Sequence, residues 1–161
     1  MQNLSLDALD LRILGLLQQE GRISNQTLAD RVALSPSACL RRVRLLEESG
    51  AIAGYQAILD ARRLGLELEA IVQVSMRQDM EGWHESFLDA VQQWPEVVAA
   101  YIVTGDSNYI LRVRARNLQE YSEFAINRLY KTRGVMDIRS NIVMQRIKDS
   151  EGRLPMDLLR R

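Results

Sequence analysis

The sequence predicts an α+β protein in which a helical N-terminal domain precedes a domain of the β-α-β-β-α-β type. In residues 1–50 the apolar side chains recur every three or four positions, as they do along amphipathic helices. From residue 68 onward, alternating segments are separated by two helical segments, in the order of the ferredoxin-like unit. The polar stretch "DARRLGLE" lies between these regions, so we expect domains at 1–60 and 61–161.

Three helices are expected in the N-terminal domain because suitable capping residues precede each of them. Asp7 suits the start of the first helix and Ser24 the start of a short second one. Ser35 and Pro36 suit the cap and first turn of the third, which we expect to run over 36–49. A short helix, a tight turn and a second helix form a helix-turn-helix, whose second helix lies in the DNA major groove.

The distribution of charge decides how the third helix is interpreted. The 161-residue chain has 21 Lys+Arg and 21 Asp+Glu, and a net charge of zero argues against nucleic-acid binding when taken alone. Residues 35–46, however, contain three arginines and no acid. Serine, alanine and arginine are side chains that contact base edges. The candidate DNA-binding residues are therefore Ser35, Ser37, Ala38, Arg41, Arg42 and Arg44.

The three arginines do not share one side of the helix. At 100° per residue, Arg42 and Arg44 lie about 200° apart. At least one of the three should therefore meet a phosphate or an acid of the same chain. The alternative is a solvated face in which the arginines pair with Glu47 and Glu48.

In the second domain, segments whose apolar residues alternate are assigned to strands, and segments whose apolar residues recur every three or four positions are assigned to helices. Asn117 with Glu120 resembles a helix-capping pair, and Gly134 ends the same helix. The segment "VVAAYIV" is apolar on both faces, which favours burial between subunits. We expect strands over 68–77, 97–104, 109–115 and 135–147, and helices over 81–94 and 117–132.

Composition argues against several classes of protein. With Cys39 as the single cysteine, no internal disulfide is possible, so a cytoplasmic location is expected. Cys39 and the single histidine, His84, are too few soft ligands for a zinc site. No apolar run is long enough to span a bilayer, so we expect no membrane partner. We also expect no catalytic residue, no metal and no cofactor. His84 is expected to be a solvated surface residue.

Three stretches resemble one family of regulators. They are "LDALDLRILGLLQQEGRISNQTLADRVALSPSACLRRVRLLEESGAIAGYQAIL", "VTGDSNYILRV" and "RGVMDIRSNIVMQRIK". The chain is similar over nearly its whole length to the leucine-responsive/asparagine (Lrp/AsnC) family of transcription regulators. The resemblance implies a winged helix-turn-helix domain and a small αβ (RAM) domain that regulate amino-acid metabolism. It also implies homodimers formed through the sheets, often assembled into octamers, with amino-acid effectors bound between subunits.

The segment "TGDSNY" resembles the Gly-Asp-x-Asp-Tyr loop of that family. Gly105 permits close backbone approach, Asp106 suits an ammonium group, and turn amides hold a carboxylate. Asn108 stands where many relatives have Asp, and Arg133 replaces a frequent proline. The alternative is an ordinary hairpin turn. The resemblance implies an effector site at Gly105, Asp106, Asn108 and Tyr109, closed by Gly134, Val135 and Ser140.

Two other functions compete with an effector-gated regulator. Siroheme and heme-intermediate decarboxylases share the two-domain architecture, but they need several histidines or other cationic groups around a macrocycle. The single histidine therefore predicts that the chain is not an enzyme. An architectural DNA-compacting protein without an effector remains the third possibility.

Overall fold

The computed structural model describes residues 5–77, 82–148 and 153–159, except for the side chain of Trp83. The chain forms two compact units, one of Met1–Ile58 with Lys148–Arg161 and the other of Leu59–Ile147. The chain first passes from one unit to the other between residues 58 and 59, two residues before the expected boundary between 60 and 61. The C-terminal segment groups with the N-terminal unit because residues 153–159 pack on its first helix. Residues 61–161 therefore do not form a single unit.

The N-terminal unit begins with the three expected helices. The carboxylate of Asp7 accepts the N–H of Asp10 at 2.8 Å, and that of Asp10 accepts the N–H of Asp7 at 3.1 Å. This reciprocal pair satisfies two backbone donors that a helix start leaves free. Ser24 and Ser35 cap the following helices through their hydroxyl groups. The helices are α1 (Ala8–Gln19), α2 (Asn25–Val32) and α3 (Pro36–Glu48).

All three helices contribute to the core of this unit. Ala33 ends α2 in the left-handed region, with φ of 58°, and so makes the tight turn toward α3. Residues 51–67 form no strand. The buried apolar side chains of the core are Ile13, Leu28, Ala29, Val32, Cys39 and Leu46.

The second unit confirms the β-α-β-β-α-β order. The last strand ends five residues earlier than expected, and the second helix continues from Ala125 to Leu129 as a π-helical turn. The expected start of the first helix at residue 81 lies outside the described residues. The elements are β1 (Leu68–Met76), α4 (Trp83–Gln92), β2 (Val97–Ile102), β3 (Tyr109–Ala115), α5 (Leu118–Phe124) and β4 (Val135–Ile142).

The four strands form one antiparallel sheet in the order β2-β3-β1-β4. Because side chains alternate across a sheet, one face carries the buried residues of every strand. Val72 and Leu111 are opposite each other on this face, and Phe87 and Phe124 cover it from the helices. The other face carries Ile110 and is here called the open face.

None of the helices in the described part of the chain is long and apolar enough to cross a membrane.

Candidate functional site

The outer side of α3 presents a stripe of three exposed side chains. Ser37, Arg41 and Arg44 lie within about 60° of one another at 100° per residue. Cys39 and Leu46, on the opposite side, are buried in the core. Neither Arg41 nor Arg44 forms an ion pair with another described residue. The exposed stripe therefore carries two available guanidinium groups.

Arg42 faces the other way, toward the start of α1. Its Nη1 lies 2.8 Å from Oδ2 of Asp7 and 2.7 Å from Oδ1 of Asp10. The N–H of Asp10 and the guanidinium of Arg42 hold the pKa of Asp7 below its usual value. The hydrogen bonds to Asp10 and Asp7 raise the pKa of Arg42. The expectation that one arginine meets an acid of the chain therefore applies to Arg42, and its assignment as a DNA-binding residue stays a prediction.

Ser35 and Ala38 shape the start of α3. The hydroxyl of Ser35 accepts the N–H of Ala38 at 3.3 Å, which caps the helix. Asn25 donates from Nδ2 to the carbonyl oxygen of Pro36 at 2.9 Å and so ties α2 to this turn. Ser35 remains exposed next to Ser37, whose hydroxyl oxygen is 3.3 Å away. Ala38 is half-buried, so it offers less surface than the serines.

The loop between β2 and β3 covers residues 103–108. The N–H of Val103 donates to the carbonyl oxygen of Asn108 at 3.1 Å and closes the loop. Gly105 has φ of 115°, a conformation that favours glycine, and Asp106 is exposed. Beside the loop an open depression of about 700 Å³ is lined by Gln73, Ser75, Ile102, Val103, Thr104, Asp106, Ser107, Ile110 and Arg139.

Asn108 holds the loop against β1. Its Oδ1 accepts the N–H of Met76 at 2.6 Å, and its own N–H donates to the carbonyl oxygen of Val74 at 3.0 Å. An aspartate at position 108 would offer the same acceptor, so this hydrogen bond can form with either residue. The side chain of Asn108 is thus a structural anchor of the loop.

Tyr109 points into the core of the sheet unit. Only 2% of it is exposed, and its hydroxyl is hydrogen-bonded to Nδ1 of His84. Burial, followed by the charge of Glu85, raises the pKa of Tyr109. Tyr109 therefore does not offer its side chain to a ligand at the loop. The expectation of a solvated His84 is also wrong, because the ring is half-buried and stacks on Tyr109.

The junction between the last helix and β4 contains Gly134 and Val135, two of the three residues expected to close the effector site. The carbonyl oxygen of Gly134 accepts the N–H of Arg77 at 2.8 Å, and Val135 pairs with Met76. Both therefore lie at the end of β1 to which Asn108 is bonded.

Ser140 lies farther along the sheet. It pairs with Val72, four residues from Met76 and thus about 13 Å along β1. Its hydroxyl accepts a hydrogen bond from Tyr121 on the helix-covered side of the sheet. Within a single chain the structure does not bring Ser140 to the loop, and its role in closing the site stays a prediction.

Arg139 is the residue that sequence reasoning missed. It lines the depression together with Asp106, and its Nε lies 3.5 Å from Oδ2 of the exposed Asp137. Arg133, which replaces a frequent proline of the family, is exposed but does not line the depression. The alternation of side chains along β4 could have identified Arg139 from the sequence. Because Ile138 faces the core, the next residue, Arg139, must face the open side.

Within the described ranges, no three His, Cys, Asp or Glu side chains are grouped closely enough to hold a metal ion.

Comparisons with known proteins match both units. A family model described as "Lrp/AsnC ligand binding domain" matches residues 69–152, and one described as "Winged helix-turn-helix DNA-binding" matches residues 6–53. The leucine-responsive regulatory protein of Rhizobium meliloti is 40% identical over 145 residues, which cover 90% of this chain and 93% of that protein. The protein of the same name from Escherichia coli K12 is 39% identical, over 90% of this chain and 88% of that protein.

Solved structures agree with the sequence matches. A transcriptional regulator from Neisseria meningitidis, crystallised as a complex with L-Met, has a TM-score of 0.92 and 37% identity, over 96% of this chain and 99% of that one. An AsnC family regulator from Agrobacterium tumefaciens has a TM-score of 0.88 and 31% identity, with the same coverage.

Proposed function

Because the chain belongs to the Lrp/AsnC family of transcription regulators, we propose that α3 reads DNA through its exposed stripe and that an amino acid bound at the 103–108 loop controls this reading. Ser37 and Arg41 lie in the leading turns of α3 and are assigned to base edges. Arg44 lies farther along the helix and is assigned to the phosphate backbone. Ser35 and Ala38 support the same helix start.

The exposed stripe on α3 is the observation that carries the DNA-binding proposal. The two acids at the start of α1 engage Arg42, while Arg41 and Arg44 remain available on the outer side. An arginine that forms two hydrogen bonds with guanine discriminates against other bases by about 1–3 kcal/mol. The alternative of a solvated face paired with Glu47 and Glu48 finds no support, because neither Arg41 nor Arg44 forms an ion pair with a described residue.

The chemistry of the depression favours a small zwitterion. Asp106 supplies a carboxylate for an ammonium group, and Arg139 supplies a guanidinium for a carboxylate. Ile102 and Ile110 line the same depression and suit an apolar side chain. We therefore propose an α-amino acid with an uncharged, apolar side chain. The L-Met bound to the Neisseria meningitidis relative belongs to this class.

We further propose that the chain acts in the cytoplasm as a homodimer that assembles into an octamer, without catalytic activity. Tyr101 is opposite Ile110 on the open face, and its side chain is largely exposed in the single chain. An exposed aromatic side chain on a sheet face is stabilised when a second copy covers it. Two reading helices related by a two-fold axis would then contact half-sites about 34 Å apart.

The DNA-binding proposal is tested by selecting bound sequences from a random pool and measuring affinities for the enriched site. We expect Arg41→Ala to weaken specific binding by about 1–3 kcal/mol and to relax the preference at one base position. Arg44→Ala should weaken binding to all sequences and reduce the salt slope by about one. Arg116→Ala, which removes an exposed arginine of the sheet unit, is the matched charge control. Equal effects of all three variants would refute the assignment.

The effector proposal is tested by a thermal-shift screen of the twenty amino acids, followed by DNA binding with each hit. A ligand at 100 times its dissociation constant stabilises the protein by about 2.7 kcal/mol. We expect Asp106→Asn and Arg139→Gln each to remove the shift, whereas Arg133→Gln retains it. Absence of a shift with every amino acid would favour the effector-free, architectural function.

A further inference from the structure

We propose that the C-terminal segment 153–159 is a docking element of the DNA-binding unit, held in a groove on the outer face of α1. The segment contains a short 3-10 helix, Met156–Leu159, and contacts α1 from the far end of the sequence. This docking does not depend on the proposed function. Only its consequence for DNA reading rests on that function.

A reciprocal pair of hydrogen bonds clamps the segment. The backbone N–H of Leu154 donates to Oε1 of Gln18 at 2.6 Å. Nε2 of Gln18 donates back to the carbonyl oxygen of Leu154 at 3.3 Å. One side-chain amide therefore satisfies both backbone groups of one residue, as a neighbouring strand would. This geometry selects an extended backbone and does not require a particular side chain at position 154.

The groove lies on the side of α1 that carries a glycine. Leu11, Gly15 and Gln18 lie within about 60° of one another around the helix and opposite Ile13, which faces the core. A Cβ atom at Gly15 would lie 3.8 Å from Cγ of Met156, so the methionine packs directly against the helix at the glycine. Helix α1 thus contacts the three-helix core on one side and the C-terminal segment on the other.

The docking makes the two ends of the chain parts of one unit. The chain leaves the N-terminal unit between residues 58 and 59 and returns to it between residues 147 and 148. Because α1 supplies the acids that engage Arg42 of α3, stabilisation of α1 supports the orientation of the exposed stripe. Loss of the C-terminal segment should therefore loosen α1 before it affects the sheet.

The test is hydrogen exchange of the full-length protein, read by peptide mass spectrometry. Leu154→Pro removes the N–H donor, while Leu154→Ala keeps both backbone groups and is its control. Gln18→Ala removes the clamp, while Gln19→Ala changes the neighbouring residue by the same chemistry. We expect Leu154→Pro to accelerate exchange in residues 8–19 and 156–159 about fivefold, as for loss of one net hydrogen bond. Gln18→Ala removes both hydrogen bonds of the clamp and should accelerate exchange there by at least as much. Exchange in β1 and β3 should stay unchanged, which shows that each variant is folded.

Two results would overturn the proposal. One is equal exchange in each variant and its control. The other is docking of the segment on a second copy, which is tested with Gln18→Cys combined with Leu154→Cys under oxidation. We expect the disulfide to form within one chain, because the native Cys39 is fully buried and does not compete. Disulfide-linked dimers as the main product would assign the groove to another copy. Wild-type DNA affinity in Leu154→Pro would contradict the consequence for DNA reading alone and leave the docking intact.

Discussion

Replacement of Asn108 should separate the structural role of this residue from any contact with a ligand. Its Oδ1 accepts the N–H of Met76 at 2.6 Å, and only 4% of Met76 is exposed. In Asn108→Ala that N–H loses its partner where little water can replace it. An unsatisfied buried donor costs about 1–3 kcal/mol. Asn108→Asp keeps an acceptor at the same position and should cost much less.

Urea unfolding followed by tryptophan fluorescence is the suitable assay. Both tryptophans of the chain, Trp83 and Trp94, belong to the sheet unit, so the signal reports the unit that contains Asn108. A loss of about 2 kcal/mol with a slope of about 2 kcal/mol/M lowers the midpoint by about 1 M. We expect this shift for Asn108→Ala and a small one for Asn108→Asp. Equal midpoints for the two variants would refute the anchoring role.

Three further predictions concern other contacts. The lowered pKa of Asp7 means that its part of the Arg42 interaction is present above the usual value of 3.8 and is lost as pH falls through the folded value. The stability difference between wild type and Arg42→Ala, measured by circular dichroism, should therefore be larger at about pH 7 than at about pH 2.5. Ser140→Ala should leave amino-acid affinity unchanged by calorimetry, because its hydroxyl bonds to Tyr121; a large loss would return Ser140 to the site. Gly15→Ala should stabilise the N-terminal unit by up to about 1 kcal/mol in urea, since the added methyl makes an ordinary contact with Met156; destabilisation would show that the groove needs the glycine.

Local rules predicted most of the fold and only part of the site. The caps at Asp7, Ser24 and Ser35 were predictable because a cap involves residues three positions apart. The partner of Arg42 was not, since Asp7 lies 35 positions earlier and only the packing of α1 on α3 brings the two together. The family resemblance located the loop correctly between β2 and β3. It did not indicate which side chains of the loop face the open side.

The pairing of Arg42 also changes what the zero net charge means. The two acids at the start of α1 are not spread around the DNA-facing surface, because Arg42 engages both of them on the other side of α3. Arg41 and Arg44 therefore carry positive charges that no ion pair with a described residue neutralises, although the whole chain is neutral. Two phosphate or base contacts for each α3 are few, and nonspecific affinity depends on the number of phosphates neutralised. Tight binding must then come from several reading helices acting together, which gives the proposed assembly a direct physical role.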